Sequence, residues 1–323
     1  MHAASHPTPR PTPLDPPAVA LAIAAHPDDV EFCAGATLAR WARHGTVVHH
    51  LICTDGSKGT WDASADIAAL VERRQAEQRA AAAALGATGE VVFLGEVDGE
   101  LRSTSDTVER VCREIRRLRP DVVLAHDPWK RYRIHPDHRA AGFLAIDAVV
   151  AARDPHFFAQ QGFAHHRPEA LLLFEADEAN HIEPADERSI TAKTTALEAH
   201  RSQLETTHFY KLDDAAASTA ADAEAAAIET ALAGFRERER SKLAEAGAAF
   251  GVDYGEAFHL IVDQPWRRIG VIRRPRRNHP GRNQERSPIV PVERRSSSAV
   301  RRWPAAGSRG SDRHSRSATA LRC

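Results

Sequence analysis

Val19-Ala20-Leu21-Ala22-Ile23-Ala24-Ala25-His26-Pro27-Asp28-Asp29 joins an unbroken apolar run to a polar turn. The run is short and bounded by prolines, so it predicts a buried strand. The same pattern recurs downstream. Phe32 to His44 has helical spacing, and Thr46 to Cys53 is a β-branched run ending in Thr54-Asp55-Gly56. Asp66 to Leu85 is rich in Ala, Glu, Gln and Arg and closed by Gly86, which predicts a strong helix. Glu90 to Leu94, Val122 to Ala125 and Ala170 to Phe174 predict three more strands, with helices over Thr104 to Leu118 and Pro136 to Ala152. Strands alternating with helices predict the α/β class, and right-handed crossovers favour a Rossmann-like, doubly wound, mainly parallel sheet. Ligands of such sheets bind beyond the carboxyl ends of the strands, at the switch point in strand order. The residues just after the first, second and fourth strands are therefore the candidates for function.

Farther along, Asp186 to Leu204 is expected to be helical. Ala215 to Ala249 is Ala-rich and expected to form one or two helices, with low-complexity disorder as the alternative. Glu256 to Val262 predicts a closing strand. Three regions follow: a Pro-rich, flexible arm over 1–17, one folded domain over 18–266, and an Arg-rich disordered tail over 267–323. The length of 323 residues suits one large α/β domain or two small ones. No stretch approaches the roughly 18 apolar residues of a membrane span, and the arm lacks the apolar core of a secretory signal. Cys33, Cys53, Cys112 and Cys323 show no paired spacing, and the first three lie in apolar patterns. Cys33, Cys53 and Cys112 read as buried free thiols, as expected in a reducing cytoplasm. The net charge of −1 conceals a contrast. The tail carries 16 Arg, no Lys and three acids, a net of +13, against −14 for the remaining residues. The acidic body is poorly suited to phosphate backbones; the tail has the opposite balance.

Two segments fall on the expected rim. His26-Pro27-Asp28-Asp29 follows the first strand, and His135-Pro136-Asp137-His138 opens the helix after the fourth. Pro136 suits the first helical position, where no amide hydrogen is needed. His135 and His138 then share a helix face. A catalytic zinc takes three protein ligands from His and Asp or Glu and keeps one position open. His26, Asp29 and His138 can supply that triplet, and iron or cobalt fits the same donors. Asp28 stands where a general base is needed. His135 is placed to stabilise an oxyanion, with Asp137 expected to hold its orientation. A lone His-Pro-Asp loop is usually only a turn; two on the same rim argue for a metal site. The HExxH helix, the P-loop and the GxSxG elbow are absent.

These motifs, in this order, resemble the signatures of the LmbE-like, or PIG-L, deacetylases, over about Val19 to Val262. The resemblance implies an LmbE-like deacetylase fold, zinc held by His26, Asp29 and His138, Asp28 as general base, and His135 as oxyanion stabiliser with Asp137 behind it. It implies hydrolysis of an N-acyl amide, expected to be N-acetyl, on an amino-sugar or related small molecule. Thr54-Asp55-Gly56-Ser57-Lys58-Gly59 matches a loop beside the site, and Arg74, Asp127 and Lys58 are the implied substrate contacts. Taken alone, Arg74 reads as an exposed helix charge and His126 as a strand-end core residue. Lys193, His200, Gln203 and Glu256-Ala257-Phe258 match later family patterns. Homo-oligomers are frequent among such proteins. One departure stands out: where several sugar deacetylases carry an aromatic two residues before the second motif, this chain has Arg133, with Tyr132 one place further back. Rival readings are a thiol-conjugate amidase with the same metal site, a sugar-binding pseudoenzyme, and a nucleic-acid binder acting through the basic tail.

Overall fold

The computed structural model describes residues 13–204, 206 and 221–262. In chain order the elements are β1 (Val19–Ala24), α1 (Asp29–Arg43), β2 (Val47–Thr54), α2 (Ile67–Ala84), β3 (Val91–Glu96), α3 (Ser105–Leu118), β4 (Val122–His126), α4 (Pro136–Arg153), β5 (Ala170–Phe174), β6 (His181–Pro184), α5 (Glu187–Glu198), α6 (Ala221–Phe250) and β7 (Gly255–Val262). The seven strands form one sheet in the order β3-β2-β1-β4-β5-β7-β6. Neighbours from β3 through β5 pair in parallel, whereas β7 runs antiparallel to β5 and to β6. The expected doubly wound α/β class is the one observed. The strand order reverses between β1 and β4, which sets the switch point between the two motifs.

Burial on both faces explains the composition of β1. Leu21 and Ile23 project into one core with Val111 and Ile115 of α3 and Leu144, Ala145 and Ala148 of α4. Ala20, Ala22 and Ala24 project into the other, with Ala34, Leu38 and Trp41 of α1. The small alanines on that face let α1 lie close to the sheet. Helix ends carry their own signals. Asp66 accepts the Ala69 amide at the start of α2, and Thr104 and Asp186 form reciprocal capping boxes at α3 and α5.

Gly142 in α4 marks another close approach. A Cβ there would lie 2.6 Å from the carbonyl oxygen of His126 and 2.9 Å from the nitrogen of Pro128, both backbone atoms. Gly142→Ala is therefore expected to push α4 off the end of β4 and lower stability by about 1–3 kcal/mol. Chemical denaturation checks this; an unchanged midpoint would show that the helix has room to spare.

Three features differ from the expectations, and the Ala-rich stretch agrees with them. The edge strand β6 was not anticipated, because His181-Ile182-Glu183-Pro184 is short, polar and ends in proline. The helix expected over Asp186 to Leu204 stops at Glu198, and a 3-10 turn over Arg201–Gln203 follows it. The break lets His200 turn inward, where its ring lies 3.4 Å from Glu31. The Ala-rich stretch is one helix, α6, anchored by Phe235 on Leu197. Finally, the last residues of the expected flexible arm are seated: Leu14 packs on the core and donates its amide to Glu183. Residues 1–12, 215–220 and the tail 267–323, including the expected disorder of the tail and any nucleic-acid binding through it, lie outside the described residues. Among the described residues no helix is long and apolar enough to cross a membrane. Cys33, Cys53 and Cys112 are free thiols, as expected, but only Cys53 and Cys112 are buried; Cys33 is half-buried.

Candidate active site

The chain after β1 turns sharply. Asp28 caps α1 with φ 97°, a left-handed conformation that non-glycine residues rarely adopt. That turn aims the imidazole of His26 and the carboxylate of Asp29 at the start of α4. Opposite them His135 caps α4 by accepting the Asp137 amide hydrogen at Nδ1, 3.3 Å away. The hydrogen of a neutral His135 ring must then sit on Nε2. One turn on, His138 stacks beside His135, with ring centroids 5.1 Å apart.

The two motifs meet. His26 Nδ1 lies 3.2 Å from Asp29 Oδ2 and 3.2 Å from His138 Nε2, and His138 Nε2 lies 3.3 Å from Asp29 Oδ1. One proton shared between the two facing ring nitrogens leaves neither of them to donate to the Asp29 carboxylate beside them. A shared cation satisfies all three. Spacings of about 3.3 Å are also what a tetrahedral ion with bonds of about 2.0–2.1 Å requires of its ligands. The residues therefore fit a zinc-type ion. Donors of three overlapping groups lie within 4.8 Å of one another: His26, His135 and His138; Asp29, His126 and His138; His26, Asp98 and Asp137.

Asp28 lies buried beside this cluster. Burial pushes its carboxyl up to about 6, opposed by the Arg74 guanidinium and aided by the charge of Asp29. Its Oδ2 has no hydrogen-bond partner, and the nearest cation, Arg74 Nη2, is 3.7 Å away. The Asp28 amide donates to Gln78, which in turn donates to Glu31. Burial disfavours charge on His26, but hydrogen bonds to Asp137, Asp29 and Asp98 outweigh it and raise the ring well above its ordinary value. Burial likewise disfavours ionisation of Asp29, yet His126 and His26 hold its carboxyl well below the usual range.

The side-chain contacts of Asp137 run to His26 and to two backbone amides. Its carboxylate is fully buried and accepts the amides of Gly99 and Leu101, and its Oδ2 lies 3.2 Å from His26 Nε2. Its side chain thus meets His26, and its backbone amide meets His135. Gly99 makes this possible: its φ of 81° turns the amide toward Asp137.

Arg74 is not an exposed helix charge. It is buried, and donates to the carbonyls of Gly56 and Pro27, tying the loops after β2 and β1 together. Lys58 lies exposed on the rim and bonds to the Asp98 carbonyl and to Glu100. Asp127 accepts the Trp129 amide in the turn after β4. Lys193 is buried and paired with Glu256, and Gln203 donates to the Gly59 carbonyl. His126, expected as a strand-end core residue, is indeed buried, but its Nε2 lies 3.3 Å from Asp29 Oδ2. Asp98, His126 and Glu175 also pack against this cluster, and the motifs did not reveal them. Each stands at or within two residues of the end of a strand, so the carboxyl-edge rule applied to every strand would have found them.

The buried imidazoles and carboxylates at the switch point of this doubly wound sheet form groups that could hold a metal ion. Residues 21–149, from β1 to α4 with both motifs, match the family model PIG-L, GlcNAc-PI de-N-acetylase. The chain is 35% identical over 188 residues to diacetylchitobiose deacetylase of Thermococcus kodakarensis, covering 57% of this chain and 69% of that protein. It is 30% identical over 239 residues to 1D-myo-inositol 2-acetamido-2-deoxy-alpha-D-glucopyranoside deacetylase of Rhodococcus erythropolis, covering 57% and 80%. Among solved structures, N,N'-diacetylchitobiose deacetylase from Pyrococcus horikoshii superposes with a TM-score of 0.64 at 27% identity, over 76% of this chain and 84% of that one. The chain belongs to the PIG-L, or LmbE-like, deacetylase family, and its enzyme class is that of the hydrolases.

Proposed function

We propose that this protein hydrolyses the N-acetyl amide of an amino-sugar substrate, releasing a free amine and acetate, with zinc held by His26, Asp29 and His138. The observation that carries the proposal is the convergence of those three side chains within 3.3 Å of one another, with the unpartnered oxygen of Asp28 beside them. The relatives' names support the substrate class, since both describe deacetylases of acetamido sugars. A bound zinc supplies Lewis acidity toward the amide carbonyl and toward water.

The chain's own groups do the rest. Asp28 takes the proton of the attacking water at its free Oδ2. His135 donates from Nε2 to the oxygen that gains charge as the carbonyl carbon becomes tetrahedral. The C–N bond then breaks, and the proton held by Asp28 passes to the leaving amine. Asp137 keeps the His26 ring in place through Nε2. Arg74 holds the Pro27 carbonyl, and with it the turn that presents Asp28.

The test is acetate release by zinc-loaded protein from a panel of N-acetylated glucosamine derivatives, with acylated thiol conjugates alongside. Release from the sugars is expected. Turnover of thiol conjugates alone would reassign the protein as an amidase, and no hydrolysis in either set would contradict the proposal. For His135→Ala, metal content is expected to stay at the wild-type level while turnover falls about 10²- to 10³-fold, the usual cost of one oxyanion donor. Loss of metal in that variant would make His135 a ligand instead.

A further inference from the structure

From the side chains behind the cluster we infer that His126 and Glu175 are positioning residues of the metal centre, with Arg133 as the clamp that holds Glu175. The inference rests on the proposed ligand set. His126 is 1% exposed at the end of β4 and sits between two carboxylates. Its Nε2 is 3.3 Å from Asp29 Oδ2, and its Nδ1 is 3.2 Å from Glu175 Oε2. Its ring stacks on His138, with centroids 4.4 Å apart and planes 24° from parallel. It therefore touches two of the three proposed ligands.

Glu175 follows directly on β5 with φ 58°, a left-handed conformation disfavoured for a residue with a side chain. Its carboxylate is held from both sides, by His126 and by Arg133 Nη2 at 2.6 Å. A strained residue whose side chain is pinned at a site is the usual mark of a functional constraint. Arg133 belongs to the loop that leads into the second motif. The chain thus runs from that loop, through Glu175 and His126, to Asp29 and His138. A turn of the His126 ring would remove one contact of Asp29 Oδ2, leaving it the His26 amide and ring, and would take away the surface on which His138 rests. Outer partners of this kind fix ligand orientation and commonly tune metal affinity about 10- to 100-fold. Arg133 also gains a role: at this position the chain carries a clamp on Glu175.

The experiment uses the full chain, stripped of metal and titrated with cobalt(II), followed by the visible absorption of the ion and by competition with a chelating dye. Wild type is expected to bind one ion tightly. In Glu175→Ala, affinity is expected to fall about 10- to 100-fold with a changed cobalt spectrum, while the melting temperature of the metal-free protein stays within a few degrees. Glu175→Gln keeps an acceptor oxygen for the His126 ring and is expected to recover most of the affinity and the wild-type spectrum. It also serves as the deciding variant if the alanine protein does not fold: a wild-type spectrum in Gln with normal affinity then agrees with an acceptor role, and His126→Phe, which keeps the stacking but has no ring nitrogen, must still lose affinity. Cobalt binding and spectra unchanged in both Glu175→Ala and His126→Phe would overturn the inference while leaving the ligand assignment intact. Failure of wild type to bind cobalt at all would instead overturn the ligand assignment and this inference with it.

Discussion

His138→Ala is expected to lose the metal and nearly all activity. His138 Nε2 is 3.2 Å from His26 Nδ1 and 3.3 Å from Asp29 Oδ1, so it closes the triangle of donors. Without it two protein ligands remain, and the weakening should exceed the about 10- to 100-fold that follows loss of an outer partner. A metal ion contributes several kcal/mol to stabilising charge in the transition state. At about 1.4 kcal/mol per tenfold, turnover should fall by about three orders of magnitude or more. The fold should survive, because His138 lies on the first turn of α4 and the apolar anchors of that helix begin at Ala140. Metal analysis of the purified variant beside wild type checks the first part, and acetate release checks the second. Full metal content in the variant would show that the ion is held elsewhere.

Asp28→Asn is expected to behave differently: metal retained, turnover reduced by about 10²- to 10⁴-fold. Asparagine tolerates the left-handed backbone that Asp28 adopts, so the turn and the aim of His26 and Asp29 should persist. What changes is the oxygen that takes the proton. Asp28 Oδ2 has no hydrogen-bond partner, as suits a group waiting for water, whereas an amide there cannot accept the proton. Binding and catalysis therefore separate in this variant, while they fall together in His138→Ala. Loss of metal from Asp28→Asn would mean that Asp28 itself ligates the ion. Wild-type turnover would remove it from the mechanism.

Much of this site was legible in the sequence, for physical reasons. The continuous apolar run at Val19–Ala24 signals a strand buried on both faces. Pro136 after His135 signals a helix start that presents His135 and His138 together. With the carboxyl-edge rule, these place both motifs at one crevice. The contacts behind them were less legible. Asp137 was expected to serve its neighbour His135, but at the second helical position its side chain turns toward the amides of Gly99 and Leu101. Arg74 resembled many surface arginines on Ala-rich helices. Its burial depends on how the loops after β1 and β2 close over α2, which no local pattern encodes. His126 and Glu175 lie on different strands, and their meeting follows from the parallel pairing of β4 with β5, where His126 stands opposite Phe174. The short strand β6 lacked any alternation to reveal it, and it is ordered by long-range partners: Glu183 binds Arg40 and the Leu14 amide.

Anomalous diffraction at the zinc absorption edge, from crystals of the zinc-loaded protein, tests the ligand set most directly. A single strong peak bonded to His26 Nδ1, Asp29 and His138 Nε2 is expected. A peak on other side chains, or no peak between these three, would contradict the proposed centre and the hydrolysis built upon it.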